Sequence, residues 1–117
     1  MTLTPQDTIE RQAATAGIIL QQLGGQRFRV MTGAKHFKVR NAKLGGLFFR
    51  LPARQGYVLN GINAVEIVLE HNDTYTVEFL RFRGVMLAPV VVHALDGVYA
   101  EDLQEIFTHY TGLYTSL

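Results

Sequence analysis

Between Ala64 and Phe82 the chain alternates twice between apolar and polar positions. Val65, Ile67 and Leu69 interleave with Ala64, Glu66, Val68 and Glu70. After His71-Asn72-Asp73, Tyr75, Val77 and Phe79 interleave with Thr76, Glu78 and Leu80. Successive side chains on a strand point to opposite faces, so each run has one strongly apolar face. Asn72-Asp73 supplies turn chemistry between them. The pattern predicts a hairpin in which Leu69 pairs with Tyr75, Ile67 with Val77 and Val65 with Phe79. That row is the expected centre of the core.

The flanking patterns follow from the same two periods. Thr4 reads as a helix cap, Pro5 suits the first helical position, and Asp7 favours the positive end of the dipole. Ile9, Ala13, Ala16, Leu20 and Leu23 then recur at helical spacing until Gly24-Gly25. Gln26–Met31 alternates like a strand, with Phe28 and Val30 on one side and Arg27, Arg29 and Met31 on the other. Thr32-Gly33-Ala34 turns into a second strand, Lys35–Arg40, with Phe37 and Val39 inward and His36, Lys38 and Arg40 outward. Leu47, Phe49 and Leu51 line a third strand, with Phe48 and Arg50 opposite. Residues 52–61 form the longest irregular stretch, a candidate mobile loop. Beyond the hairpin a last strand is expected from Val85 to Leu95, with Pro89 marking a bulge or a sheet edge. Asp96-Gly97 reads as a turn. Leu103, Ile106, Phe107 and Tyr110 mark a closing helix stopped at Gly112. The expected fold is a single α+β domain spanning 1–117: an N-terminal helix, about six antiparallel strands in a meander, and a C-terminal helix, with both helices on one face of the sheet.

Composition narrows the chemistry. The 117 residues include no cysteine, which removes disulfides, thiolate metal sites and cysteine nucleophiles. The apolar runs are too short for a membrane span, and the N-terminus lacks a signal-peptide pattern, so a soluble cytoplasmic protein with no membrane partner is expected. The net charge of +1 conceals a segregation. Nine Lys/Arg stand against two acids through Asn60, and eight acids against two Arg from Gly61 onward. Such asymmetry suits an anionic partner, and it equally suits two halves that neutralise each other in the folded sheet.

Catalytic candidates are few. The only serine is Ser116, beside the C-terminus. His36, His71, His93 and His109 show no ligand spacing. Glu66 and Glu78 fall opposite each other in the expected hairpin, where like charges destabilise. Paired carboxylates can do acid/base work or hold a divalent cation. Alternatively Arg50, Lys38 or Arg40 neutralises them. Leu44-Gly45-Gly46 lacks the Lys-Ser/Thr of a phosphate loop. No enzyme, cofactor or metal is expected. The basic face is the clearest candidate: Arg27, Arg29, His36, Lys38 and Arg40, with Phe48 and Arg50 beside them. Charges that track phosphates next to a ring that stacks a base suit single-stranded nucleic acid.

Several stretches also resemble a family of small, uncharacterised bacteriophage and mobile-element proteins. They are Gln22-Leu23-Gly24-Gly25, Met31-Thr32-Gly33-Ala34-Lys35-His36-Phe37, Asp73-Thr74-Tyr75-Thr76-Val77-Glu78-Phe79, Gly97 through Thr108, and Thr111-Gly112-Leu113-Tyr114. The resemblance runs from Gln22 onward and is weakest over 42–61. It implies a phage or prophage origin and expression in bacterial cytoplasm. The family brings no established activity, so no site residue carries over from it.

The sequence therefore points to a non-enzymatic binding protein whose preferred partner is single-stranded nucleic acid. The alternative is a protein-interaction module, such as a phage inhibitor or adaptor of a host protein. In that case the contact surface is the outward face carrying Phe48, Ala64, Val68 and Leu80, with Phe82 a further candidate. An exposed apolar face of this kind also predicts a homo-oligomer, through it or through the last strand.

Overall fold

The computed structural model describes residues 5–52, 58–84 and 87–115. In chain order the elements are α1 (Pro5–Leu23), α2 (Gly25–Thr32), β1 (Lys35–Val39), β2 (Gly46–Arg50), β3 (Ala64–Leu69), β4 (Tyr75–Arg81), β5 (Val90–Val98) and α3 (Leu103–Thr111). The sheet is antiparallel in the order β1-β2-β3-β4-β5, so each strand pairs with its neighbour in sequence. The class is α+β, with three α-helices and five strands among the described residues where two helices and about six strands were expected. The Thr4 cap, the centre of the irregular stretch at 53–57, the expected strand start at Val85 and the lone Ser116 lie outside the described residues.

The central hairpin has the register its alternation predicts: Val65↔Phe79, Ile67↔Val77 and Leu69↔Tyr75. Val65, Ile67, Val77 and Phe79 are fully buried and Leu69 partly so. Together with Leu47 and Phe49 of β2 they join one core with Ile19 and Leu23 of α1, Phe28 of α2, and Leu103 and Phe107 of α3. Aromatic rings knit its middle. Phe28 meets Phe49 at 5.4 Å and Phe107 at 5.1 Å, both edge to face, the favoured aromatic geometry.

Gln26–Met31 is helix, not strand. Gly25, Phe28 and Thr32 are its buried positions, a spacing of three and four. Gly24, at φ 128, turns the chain out of α1. Gly33, at φ 72, ends α2 by donating its N–H to the Arg29 carbonyl, an αL cap that glycine takes without steric cost. The buried stripe of α1 is also rotated from the expected one. Gln12, Thr15, Ala16, Ile19 and Leu23 are buried, whereas Ile9 and Ala13 are exposed. The β1–β2 loop rests on this stripe, with the Gln12 amide donating to the Ala42 carbonyl at 2.8 Å.

The last strand begins at Val90, after Pro89, and continues through Asp96-Gly97 instead of turning there. Tyr75 pairs with Val98 and Val77 with Leu95, so Gly97, at φ 66, occupies a bulge. α3 ends at Gly112, at φ 79, as expected.

Tyr75 ties the sheet to α1. Its hydroxyl donates to Gln22 Oε1 at 2.7 Å. Burial pushes its phenol above the ordinary tyrosine value of 10.0; the Gln22 hydrogen bond opposes that rise and the Asp73 charge adds to it. The native state therefore keeps this proton at pH values where the unfolded chain has lost it. Stability should fall as pH rises through about 10 and beyond. Thermal melts across this range should show the loss, and Tyr75→Phe should flatten it. At neutral pH the same variant should cost about 1 kcal/mol, because Gln22 loses its donor.

Candidate functional site

The sheet face away from the large core is built by the alternate residues of the strands. Lys35 pairs with Arg50 and Lys38 with Phe48, so three steps on β1 span two on β2. The extra residue makes a bulge, with His36 held at φ 58. Arg50 and Phe48 lie two apart and share a face, so their partners Lys35 and Lys38 share it as well. Simple alternation would have turned Lys35 inward.

The apolar residues of this face are not left open. Phe48, Ala64 and Leu80 are buried, with Phe82 packed against them. Phe82 follows the end of β4 and is held by the side-chain amide of Asn63. Its N–H donates to Asn63 Oδ1 at 2.8 Å, and its carbonyl accepts from Asn63 Nδ2 at 3.0 Å. Its ring meets Phe48 edge to face at 6.2 Å, and the Arg50 guanidinium sits 4.5 Å from its centroid. The exposed apolar face expected to drive association is thus largely consumed within the chain.

Beside Phe82 lies a cleft of about 550 Å³ lined by Lys35, His36, Lys38, Phe48, Arg50, Leu51 and Phe82. Lys35, His36 and Lys38 are exposed and Arg50 is partly so. Three basic side chains and a histidine therefore converge on an aromatic wall. Opposite charges occupy the next strands. Glu66 is level with Phe48 on one side and Glu78 on the other. Arg40 Nε donates to Glu66 Oε1 at 2.8 Å, so Arg40 neutralises one carboxylate of this like-charged pair. Farther along, the Thr76 hydroxyl donates to Glu70 at 2.9 Å and lies 3.3 Å from Asp96. The face runs from basic at β1 and β2 to acidic at β3 to β5.

Of the seven residues singled out from the sequence, His36, Lys38, Phe48 and Arg50 line this cleft. Arg40 stands outside its lining, in the ion pair. Arg27 and Arg29 do not join the basic sheet face, because α2 carries them. The Arg29 guanidinium lies 5.2 Å from the ring centroid of Phe37, which packs on the large core and so faces away from Lys38. Phe48 is too buried to stack a base; Phe82, with Arg50 against it, is the ring that forms the wall. Lys35 was missed, and Phe82 was expected on this face as part of its apolar patch but not as the wall of a basic cleft. Lys35 depends on a bulge whose one sequence hint is a histidine, a residue type enriched at positive φ. Phe82 depends on the clamp from Asn63, nineteen residues away.

Among the described residues, no group of three His, Asp or Glu could hold a metal ion, and no helix is long and apolar enough to cross a membrane. Comparison with protein-family models, curated proteins and solved structures finds no match, so the geometry of this cleft carries the functional argument.

Proposed function

We propose that this chain is a non-enzymatic binding protein for single-stranded nucleic acid, with the β1–β2 cleft as its site. The observation that carries the reading is the convergence of Lys35, Lys38 and Arg50 on the Phe82 wall in a cleft of about 550 Å³. Lysines contribute mobile point charges for phosphates. The planar Arg50 guanidinium, 4.5 Å over the Phe82 ring, can turn its N–H edge to a phosphate while its open face extends a platform for a base. A duplex offers no free base face to such a platform, which favours single strands. Bacteriophage origin and bacterial cytoplasm remain what the family resemblance suggests.

Phosphate neutralisation releases counterions, so affinity must fall with salt. Fluorescence polarisation with labelled single-stranded DNA and RNA at several salt concentrations should show this. The double change Lys35→Ala plus Lys38→Ala should reduce the slope of log K against log salt by about 1.4, roughly 0.7 for each phosphate no longer neutralised. Folding should barely change, since exposed charges contribute little to stability. Wild-type protein that binds no nucleic acid at low salt would overturn the proposal.

A second reading, a protein-interaction module acting on a host protein, draws on a different observation. β5 is one of the two outer strands of the sheet, and Leu87 (60% exposed) and Val91 (48%) lie on or beside it. An extended segment of a partner could add to that edge. Such binding would be far less sensitive to salt, which separates the two.

A further inference from the structure

The cleft ends where the charge changes sign. Across the sheet from Lys38 and Phe48 come Glu66 on β3 and then Glu78 on β4. Arg40, the basic residue next along the chain after β1, is held by Glu66 at 2.8 Å and does not line the cleft. Building on the single-strand reading above, we propose that the Arg40–Glu66 ion pair is the boundary of the site. It withholds Arg40 from the ligand. Together with Glu78 it keeps phosphates off the β3–β4 half of the face. The site then accepts a short segment, about one phosphate for each of Lys35, Lys38 and Arg50, and a longer strand must leave along the β1 edge without further contact.

The physical basis is local. A phosphate placed over β3 would lie near two carboxylates, one of them already neutralised by Arg40, and would have to break that pair to gain Arg40. Removing the Glu66 charge relieves the repulsion with Glu78 and frees the guanidinium. Arg40 is therefore a latent phosphate ligand, and Glu66 is the residue that sets the length of the site.

The test is a length series of labelled oligothymidylates, of about 2, 4, 8 and 16 nucleotides, titrated by fluorescence polarisation at several salt concentrations. Affinities are corrected for the number of binding registers. For wild type the salt slope should stop growing near four nucleotides, at about 2, which is roughly 0.7 for each of three phosphates. Glu66→Gln should raise that limiting slope by about 0.7 and move the plateau to a longer oligomer. Arg40→Ala should leave the wild-type slope unchanged and abolish the gain in the Glu66→Gln background. Circular dichroism melts confirm that each variant is folded. A wild-type slope that keeps rising to the longest oligomer overturns the boundary and leaves the single-strand reading standing. So does a slope that collapses on Arg40→Ala alone, or one unmoved by Glu66→Gln. Absence of binding by wild type to every oligomer overturns both.

Discussion

Phe49→Ala is expected to destabilise the protein by about 3–5 kcal/mol, the range for deleting a fully buried phenylalanine. Phe49 has no exposed surface and sits where four elements meet. Its ring lies 5.4 Å from Phe28 of α2, 5.5 Å from Phe37 of β1 and 6.2 Å from Phe107 of α3. Truncation therefore removes transfer energy, leaves a cavity and breaks all three ring pairings at once. The surrounding strand cannot collapse to fill the space, because β2 is paired on both sides. Urea denaturation with an unchanged m-value should show the loss as a lower midpoint. Tyr114→Ala is the control: that ring is 70% exposed and its loss should be close to neutral. Equal effects at the two positions would contradict the packing described above.

The second large effect comes from adding one methyl group. Gly46→Ala should cost about 1–3 kcal/mol, by overpacking against backbone that cannot move aside. A Cβ there would lie 2.5 Å from the Ile67 carbonyl oxygen and 3.1 Å from Val68 Cα, both on the paired strand β3. Relief requires β2 and β3 to separate. The same substitution at Gly17 should have the opposite sign. Gly17 lies within α1 with nothing within 4 Å of the added carbon, so alanine there should stabilise by about 0.5–1 kcal/mol. Thermal melts of the two variants should move in opposite directions, and a shared direction would refute this account.

The parts of the fold that were legible have long, unambiguous periods. The β3–β4 hairpin alternates over two runs joined by a turn, and only one register buries both apolar faces. α3 shows Leu103, Ile106, Phe107 and Tyr110 at steps of three and four, all packed on the core and followed by Gly112. α2 reads as a strand because two helical turns are too few to separate periods. Phe28 and Val30 look alternate, yet Val30 is 72% exposed and the partner of Phe28 in burial is Thr32. Thr32 is polar, but its hydroxyl donates to the Phe28 carbonyl at 2.7 Å and can be buried for that reason. Gln12 and Thr15 of α1 hid the true stripe in a similar way, as polar residues buried under a loop whose path no local pattern encodes.

The candidate site was half legible for the same reason. Lys38, Phe48 and Arg50 follow from strand alternation, and the Glu66–Glu78 opposition follows from the hairpin register. Arg40 as the neutralising partner of Glu66 was one of the possibilities the charges allowed. What no period predicts is the bulge that turns Lys35 outward, or the Asn63 clamp that seats Phe82 against Phe48.

The strict sequence order of the sheet has a kinetic corollary. Each strand meets its partner by closing one connection to its neighbour, and the cost of closing a loop grows only slowly with length. The four ladders can form in succession without waiting for a distant segment. The packing of α1 with α3 is different in kind. The Gln104 side chain reaches the Gln22 carbonyl across 82 positions of chain. Non-local pairings are the slow ones in small domains. The meander should therefore assemble first, and the docking of α1 against α3 should close the molecule.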